Sequence, residues 1–275
     1  MEDRRLKNEN IILDFTHVYR DEYIKDIDRF TYIDCSDIEG TDMYCSENAY
    51  GMIWDRISPY GICGIHFMDS GNYHYITKIM TDHIDEPFGL VMYDHHTDMQ
   101  IPMVPGMMSC GDWAEQALVQ NKNLMQLVIV GPPEADIEQA VGDVSQDIEN
   151  GRLLTFSSEE LRVGVSEDKL RFIRSDLPWY ISIDKDVLGT EYSETNWSQG
   201  DMSVNGLERL LSVFLGSQDD KSDAGEIRYP RILGVDICGE SQIDIPVPEY
   251  LEAEKKNEKV NTELFRFISD HVNNI

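Results

Sequence analysis

Short, nearly continuous apolar runs recur along the chain, separated by polar stretches with helical spacing. Runs of this kind are typical of parallel strands that are buried on both faces of a sheet. We therefore predict strands at Asn10–Phe15, Gly64–Met68, Gly89–Tyr93, Leu124–Val130, Trp179–Ile183 and Ile232–Ile237.

The stretches between these runs predict helices. Asp112, Ser157 and Ser203 are candidate N-caps, because a side-chain oxygen at that position accepts a hydrogen bond from the first helical turn. A terminal amphipathic helix is predicted over Thr262–Val272. Strands alternating with helices predict an α/β fold with three layers, in which helices cover both faces of a mainly parallel β-sheet. We expect residues 1–275 to form a single domain of this kind.

The charge of the chain narrows the classes of partner. Lys and Arg number 23 against 52 Asp and Glu, which gives a formal net charge of −29. Binding to nucleic acid or to an anionic membrane surface needs clustered basic residues, so neither partner is expected. No apolar run is long enough for a membrane span, and the N-terminal residues are charged, so we expect a cytoplasmic protein.

Two acidic clusters come directly after predicted strands. One contains Asp94, His96 and Asp98, and the other contains Asp184 and Asp186. Alternate side chains of an extended segment share a face, so each cluster is expected to converge, at the strand ends where α/β sheets bind ligands. So many carboxylates stay ionised together in a partly buried site only with cations, and the sequence therefore predicts a metal site.

Together the two clusters resemble the motifs of the ureohydrolase family, which includes arginase, agmatinase and formiminoglutamase. That family has Asp-x-His-x-Asp after one strand and Ser-x-Asp-x-Asp after a later one, matched here by residues 94–98 and 182–186. An earlier Gly-Gly-Asp-His segment has a divergent counterpart in residues 69–74, which ends at His74. The resemblance runs in the same order over about residues 60–240 and implies the arginase/deacetylase-like version of the α/β fold.

The resemblance also implies a cofactor and a reaction. Two divalent cations, expected to be manganese, would be held by His74, Asp94, His96, Asp98, Asp184 and Asp186. A ligand set of carboxylates and imidazoles is typical of manganese, whereas a zinc site is often rich in thiolates. A hydroxide that bridges the two metals would attack a guanidino or formimino carbon and break a linear C–N bond, with Asp98 also orienting the hydroxide as a catalytic residue. The expected substrate is a small, cationic molecule.

The chain departs from the family around the substrate. Cys110 stands nearest the place of a histidine that aids proton transfer in arginases. Gly239 stands in the register of the acid that grips the guanidinium, and we expect the next residue, Glu240, to replace it as a second catalytic residue. The expected substrate pocket contains Gln100, Ser109, Cys110, Asn196 and Trp197.

Two other functions stay open at this stage. One is a zinc-dependent, deacetylase-like amidohydrolase, which shares the fold but uses one metal. The other is a non-catalytic, metal-stabilised binding protein, which the missing histidine and displaced acid permit. The identity of the substrate, the metal, the role of Cys110 and the function of residues 1–60 stay open as well, and the resemblance allows a homo-oligomer without fixing one.

Overall fold

The computed structural model describes residues 9–19, 29–104, 106–141, 145–216, 229–241 and 243–272. Its strands among these residues are β1 (Asn10–Asp14), β2 (Phe30–Asp34), β3 (Tyr44–Cys45), β4 (Ile65–Phe67), β5 (Phe88–Tyr93), β6 (Met108–Ser109), β7 (Leu124–Val130), β8 (Leu153–Phe156), β9 (Trp179–Asp184) and β10 (Ile232–Cys238). Its helices are α1 (Glu47–Ile57), α2 (Ile76–Thr81), α3 (Trp113–Gln120), α4 (Glu134–Val141), α5 (Ser145–Glu149), α6 (Ser158–Val163), α7 (Glu167–Leu170), α8 (Val204–Leu215) and α9 (Val247–His271).

Eight of these strands form one sheet in the order β2-β1-β4-β10-β9-β5-β7-β8, and every neighbouring pair is parallel. The two short strands β3 and β6 pair with each other in antiparallel fashion, outside the large sheet. All carboxyl ends of the large sheet therefore lie along one edge, where α/β folds bind their ligands.

Helices cover both faces of the sheet, which confirms the predicted fold class. Along β5, Leu90 and Met92 pack in one core cluster with residues of α1, α2 and α3. Val91 and Tyr93, which point to the opposite face, pack with residues of α8 and α9. This alternation is why the buried strands read as continuous apolar runs rather than as alternating ones.

The predicted strands correspond to β1, β4, β5, β7, β9 and β10, with ends that differ by at most one residue. Ser157 and Ser203 cap α6 and α8 as expected, and Ser157 forms a reciprocal capping box with Glu160. Asp112 stands at the N-cap of α3, but its side chain accepts hydrogen bonds from Ser109 N and Gln116 Nε2 and not from the first-turn backbone.

The terminal helix is longer than predicted, because α9 begins at Val247 and not near Thr262. No helix in the described part of the chain is both long enough and apolar enough to cross a membrane.

Candidate metal centre

The two acidic clusters meet at the carboxyl edge of the sheet because their strands are neighbours. Strand β5 pairs with β9 in a register that places Tyr93 beside Ile183, so Asp94 and Asp184 follow at adjacent strand ends. On its other side, β9 pairs with β10, and Cys238 lies beside Asp184. The predicted convergence of the clusters is therefore produced by the strand order of the sheet.

The backbone that brings each cluster together is bent, whereas the sequence pattern had suggested an extended one. The chain turns directly after Asp94, and Asp98 has a left-handed φ of 49°. After Asp184 the chain enters a 3-10 turn over Lys185–Val187, in which Asp184 Oδ1 accepts a hydrogen bond from Asp186 N at 2.9 Å. The predicted side chains lie close together, but strand alternation is not the reason that they converge.

One group of candidate ligands surrounds His74, which lies between a 3-10 turn (Gly71–Tyr73) and α2. Its Nδ1 lies 3.1 Å from Asp94 Oδ2, 3.0 Å from Asp98 Oδ2 and 3.7 Å from Asp184 Oδ2. The nitrogen is buried and has no hydrogen-bond partner. An orphaned imidazole nitrogen that faces three carboxylates is the donor set expected of a cation site.

A second group surrounds His96 and shares Asp94 with the first. His96 Nδ1 lies 2.8 Å from Asp186 Oδ2 and 3.4 Å from Asp94 Oδ1. The backbone fixes both acids, since Asp94 Oδ1 accepts from His96 N at 2.6 Å and Asp186 Oδ1 accepts from His95 N at 2.9 Å. The six predicted ligands thus form two adjoining groups, one around each histidine.

The protonation of these groups also fits a cation site. Burial raises the pKa of Asp184 to about 7 and that of Asp186 to about 6, and the nearby carboxylates add to both shifts. Burial alone would lower the pKa of His96, but the carboxylates of Asp186 and Asp94 outweigh it and raise the pKa to about 12. Protons therefore compensate the clustered negative charge in the metal-free chain, and divalent cations could take their place.

Neighbouring side chains hold the candidate ligands in position. Ser182 Oγ lies 2.9 Å from His74 Nε2, and Trp113 Nε1 donates to Asp98 Oδ2 at 2.6 Å. Ser198 Oγ lies 2.9 Å from His96 Nε2. Trp113 and Ser198 were not foreseen, because neither belongs to an acidic motif and their contacts depend on how distant segments pack.

Cys238 is a further residue that the sequence did not indicate. Its thiol donates to Asp184 Oδ2 at 3.2 Å, and it forms a third grouping with His74 and Asp184. Burial raises the pKa of Cys238 well above its usual range, and the negative charge of Asp184 adds to this shift. Cys238 is therefore a protonated donor to a candidate ligand here, not a thiolate.

A cavity of about 200 Å³ opens above the candidate ligands. All six ligands line it, and so do four of the five residues that were expected to bind substrate, namely Gln100, Ser109, Cys110 and Trp197. Asn196, the fifth, is not among the described lining residues. Its Nδ2 donates to Asn72 Oδ1 at 2.7 Å, and Trp197 Nε1 donates to the same oxygen at 2.9 Å.

The expected role of Glu240 requires correction. The side chain is 1% exposed, forms an ion pair with Lys185 Nζ and accepts from Asn261 Nδ2 at 2.8 Å, and it is not among the described residues that line the cavity. The position that the family's acid would occupy is taken by Gly239, which has a left-handed φ of 92°. A side chain there is excluded, because its Cβ would lie 2.5 Å from Asp184 Oδ1. This segment packs against the ligands and leaves no room for an acid at Gly239.

One relative by sequence and several solved structures by fold are similar to this chain. No family model matches the chain. The chain is 30% identical to an uncharacterised protein of Thermotoga maritima over 251 residues. The aligned region covers 91% of this chain and 85% of that protein.

Two solved structures share the fold at low sequence identity. The agmatine ureohydrolase of Thermoplasma volcanium matches with a TM-score of 0.60 at 14% identity, over 97% of this chain and 91% of that chain. The formiminoglutamase of Trypanosoma cruzi, solved with Mn²⁺, also has a TM-score of 0.60, at 12% identity, over 97% of this chain and 95% of that chain. The chain therefore belongs to one family with the Thermotoga maritima protein and shares its fold with the solved ureohydrolase structures.

Proposed function

We propose that the protein is a hydrolase with two divalent metal ions, manganese in particular, that breaks a linear C–N bond in a guanidino or formimino compound. The observation that carries this proposal is the pair of three-residue groups that share Asp94: His74 with Asp94 and Asp98, and Asp94 with His96 and Asp186. Each group supplies one imidazole together with carboxylates, so each could hold one divalent cation.

The chemistry of the donors supports both the number and the kind of metal. Four carboxylates carry four negative charges, which two divalent cations would neutralise if both imidazoles are neutral. Oxygen and imidazole donors suit manganese, whereas a structural zinc site is usually richer in thiolates. The second group, around His96, favours two metals over the single zinc of a deacetylase-like amidohydrolase. When bound, a pair of such cations lowers the pKa of a shared water and supplies a nucleophile at neutral pH.

The surrounding residues would orient the ligands for this role. The contact between His74 Nε2 and Ser182 Oγ leaves Nδ1 facing the carboxylates. The hydrogen bond from Trp113 Nε1 holds Asp98 Oδ2, so that its carboxylate can both bind metal and accept a hydrogen bond from the nucleophile. Contacts of this kind behind a metal site fix the tautomer and the orientation of the ligands.

The cavity supports a small substrate. Its volume of about 200 Å³ suits a molecule of a few heavy atoms beside the metals, with a remainder that reaches the opening. Gln100, Ser109 and Cys110 are uncharged polar residues on its wall and can contact the planar guanidino or formimino group. Because Glu240 is engaged elsewhere, recognition of that group differs from the pattern implied by the family.

The test is metal-dependent release of urea or formamide. The manganese-loaded protein is incubated with a panel of guanidino and formimino compounds, beside a chelated sample, Asp186→Asn, and the exposed-site control Asp168→Asn. We expect turnover with manganese that is lost in the chelated sample and in Asp186→Asn but kept in Asp168→Asn. A folded, manganese-loaded protein that releases neither product from any compound would rule out this substrate class.

A further inference from the structure

The opening of the cavity carries apolar side chains that are exposed to solvent. Four residues form this apolar rim: Met43, Tyr44, Ile101 and Met103. Met43 is 36% exposed, Ile101 75% and Met103 79%. Exposed apolar groups that gather at the opening of one cavity, in a chain with a net charge of −29, mark a binding surface and not ordinary surface composition.

The rim is anchored to the wall that faces the candidate metals. Strand β3 pairs with β6 so that Tyr44 lies opposite Ser109, and Cys110 N donates to Met43 O at 2.9 Å. Met43 has a left-handed φ of 58°, which is unfavourable for a residue with a long side chain. The Tyr44 hydroxyl lies 3.9 Å from Met103 Sδ, which joins the two sides of the rim. Backbone strain that persists beside a binding cavity is typical of a functional position.

The described lining offers no cationic partner to an anionic tail. Among the described residues that line the cavity there is no Lys or Arg, so a carboxylate at the far end of a substrate would lose its hydration without a cationic partner. Apart from the four carboxylates among the six candidate ligands, the acid of the described lining is Asp112, which is 3% exposed. Its Oδ1 accepts from Ser109 N and from Gln116 Nε2, both at 2.8 Å, so it serves the start of α3.

We propose that the non-reacting part of the substrate is an uncharged apolar group, an alkyl or aryl chain, that the apolar rim covers while the reacting group faces the candidate metals. This inference rests on the proposed function, because it takes the guanidino or formimino group as the reacting end. It excludes amino-acid substrates, whose carboxylate would lie against Ile101 and Met103.

The first experiment measures binding without turnover. N-Alkylureas are neutral, planar relatives of the guanidines, and we would titrate methylurea, butylurea, hexylurea and 4-ureidobutanoate into the manganese-loaded protein by calorimetry. Full burial of one methylene strengthens binding about fourfold, so with a partly open rim we expect hexylurea to bind at least about 30-fold more tightly than methylurea. The carboxylate compound is expected to bind more weakly than butylurea.

Variants then locate the effect. Met103→Gln and Ile101→Gln should each reduce the hexylurea-to-methylurea ratio at least about threefold, because a polar side chain then faces the alkyl chain. Val163→Gln is the matched control, since Val163 is 87% exposed and lies outside the cavity lining. It should keep the wild-type ratio. The molar mass of each variant in solution is measured alongside.

The outcomes separate this inference from the proposed function. If urea binding strengthens with chain length but no guanidine or formamidine is turned over, the apolar tail of the ligand is supported and the proposed reaction is contradicted. Turnover that is equal for substrates with alkyl and with carboxylate tails would support the proposed reaction and contradict the inference that the tail is apolar. Equal affinities for hexylurea and methylurea would contradict the inference. Dissociation of an oligomer in a rim variant would also contradict it, because the rim would then be a subunit interface.

Discussion

Lys185 and Glu240 form an ion pair in which both side chains are buried, at 0% and 1% exposure. Lys185 stands between the candidate ligands Asp184 and Asp186, and Glu240 follows β10. Asn261 of α9 joins the pair, since its Oδ1 accepts from Lys185 Nζ and its Nδ2 donates to Glu240 Oε1, both at 2.8 Å. The terminal helix is therefore connected through buried polar contacts to the turn that carries two candidate ligands.

Removing one member of this pair is expected to destabilise the fold. Lys185→Met leaves the Glu240 carboxylate buried without a cation, which typically costs about 3–5 kcal/mol. The double variant Lys185→Met/Glu240→Leu removes both charges and should recover most of that loss. Urea denaturation in the presence of chelator measures the free energy of unfolding of the single and the double variant. Lys256→Met, which breaks a more exposed pair with Glu194, should cost at most about 1 kcal/mol. A double variant as unstable as the single one would contradict this account.

Trp113 is expected to tune the binding of one of the two proposed metal ions. Trp113→Phe keeps an aromatic ring but removes the donor to Asp98 Oδ2, and loss of such a contact typically weakens metal binding about 10–100-fold. Manganese titration by calorimetry should show one weakened ion. Trp179→Phe is the control, because Trp179, at the start of β9, is equally buried but its Nε1 donates to Arg174 O and not to a candidate ligand. Equal weakening in both variants would indicate general destabilisation.

The buried carboxyl of Asp69 predicts a pH dependence of the metal-free protein. Burial raises the pKa of Asp69 to about 7 from 3.8, although backbone N–H donors, including those of Phe15 and Thr16, partly oppose it. The folded state then holds the proton more tightly than the unfolded state, so stability falls as pH rises from about 4 to 7, by up to about 1.4 kcal/mol per pH unit.

Urea denaturation at pH 5 and at pH 7.5, in the presence of chelator, measures this dependence. Asp184 and Asp186 have raised pKa values and act in the same direction, so the comparison that matters is between the wild type and Asp69→Asn. The variant should be less stable at pH 5 but should lose less stability between the two pH values. Equal losses in both proteins would show that Asp69 does not titrate in this range.

The cysteines should differ in their reaction with alkylating reagents. Cys63 is partly exposed, whereas the other four are buried. Burial raises the pKa of Cys110, and the negative charges of Asp98 and Asp184 raise it further, so little reactive thiolate forms at neutral pH. We expect iodoacetamide to label Cys63 in the native, metal-free protein and to leave Cys110 unlabelled, as measured by peptide mass spectrometry. Labelling of Cys110 as rapidly as Cys63 would contradict the assignment of a protonated, shielded thiol.

Much of the fold could be predicted from the sequence, because buried parallel strands produce apolar runs that end near the observed boundaries. Strands β2 and β8 were missed because only part of each short segment is buried, with Tyr32, Leu154 and Thr155 partly exposed. The length of α9 was underestimated because its first half is largely exposed and has a weak apolar stripe. These misses concern segments whose burial depends on neighbours that are distant in sequence.

The candidate site shows a sharper division. Five of the six candidate ligands could be chosen from the two acidic motifs, since carboxylates after buried strands are costly unless they bind a cation. His74 was indicated only by the resemblance to the ureohydrolase family. The partner of Glu240 could not be inferred, because nothing near Lys185 in sequence indicates that its side chain turns inward to meet the end of β10. Trp113 reaches Asp98 through the packing of α3, which no local pattern encodes.

The number of manganese ions bound per chain tests the central claim most directly. Elemental analysis after equilibration with manganese and removal of free metal should give two ions for the wild type and for the cavity variant Asp112→Asn. Asp98→Asn and Asp186→Asn should each retain one, because each acid belongs to a different group, and Asp94→Asn, which alters the shared carboxylate, should retain neither. A wild-type protein that binds no manganese, or a single ion that survives in Asp94→Asn, would contradict the dinuclear centre.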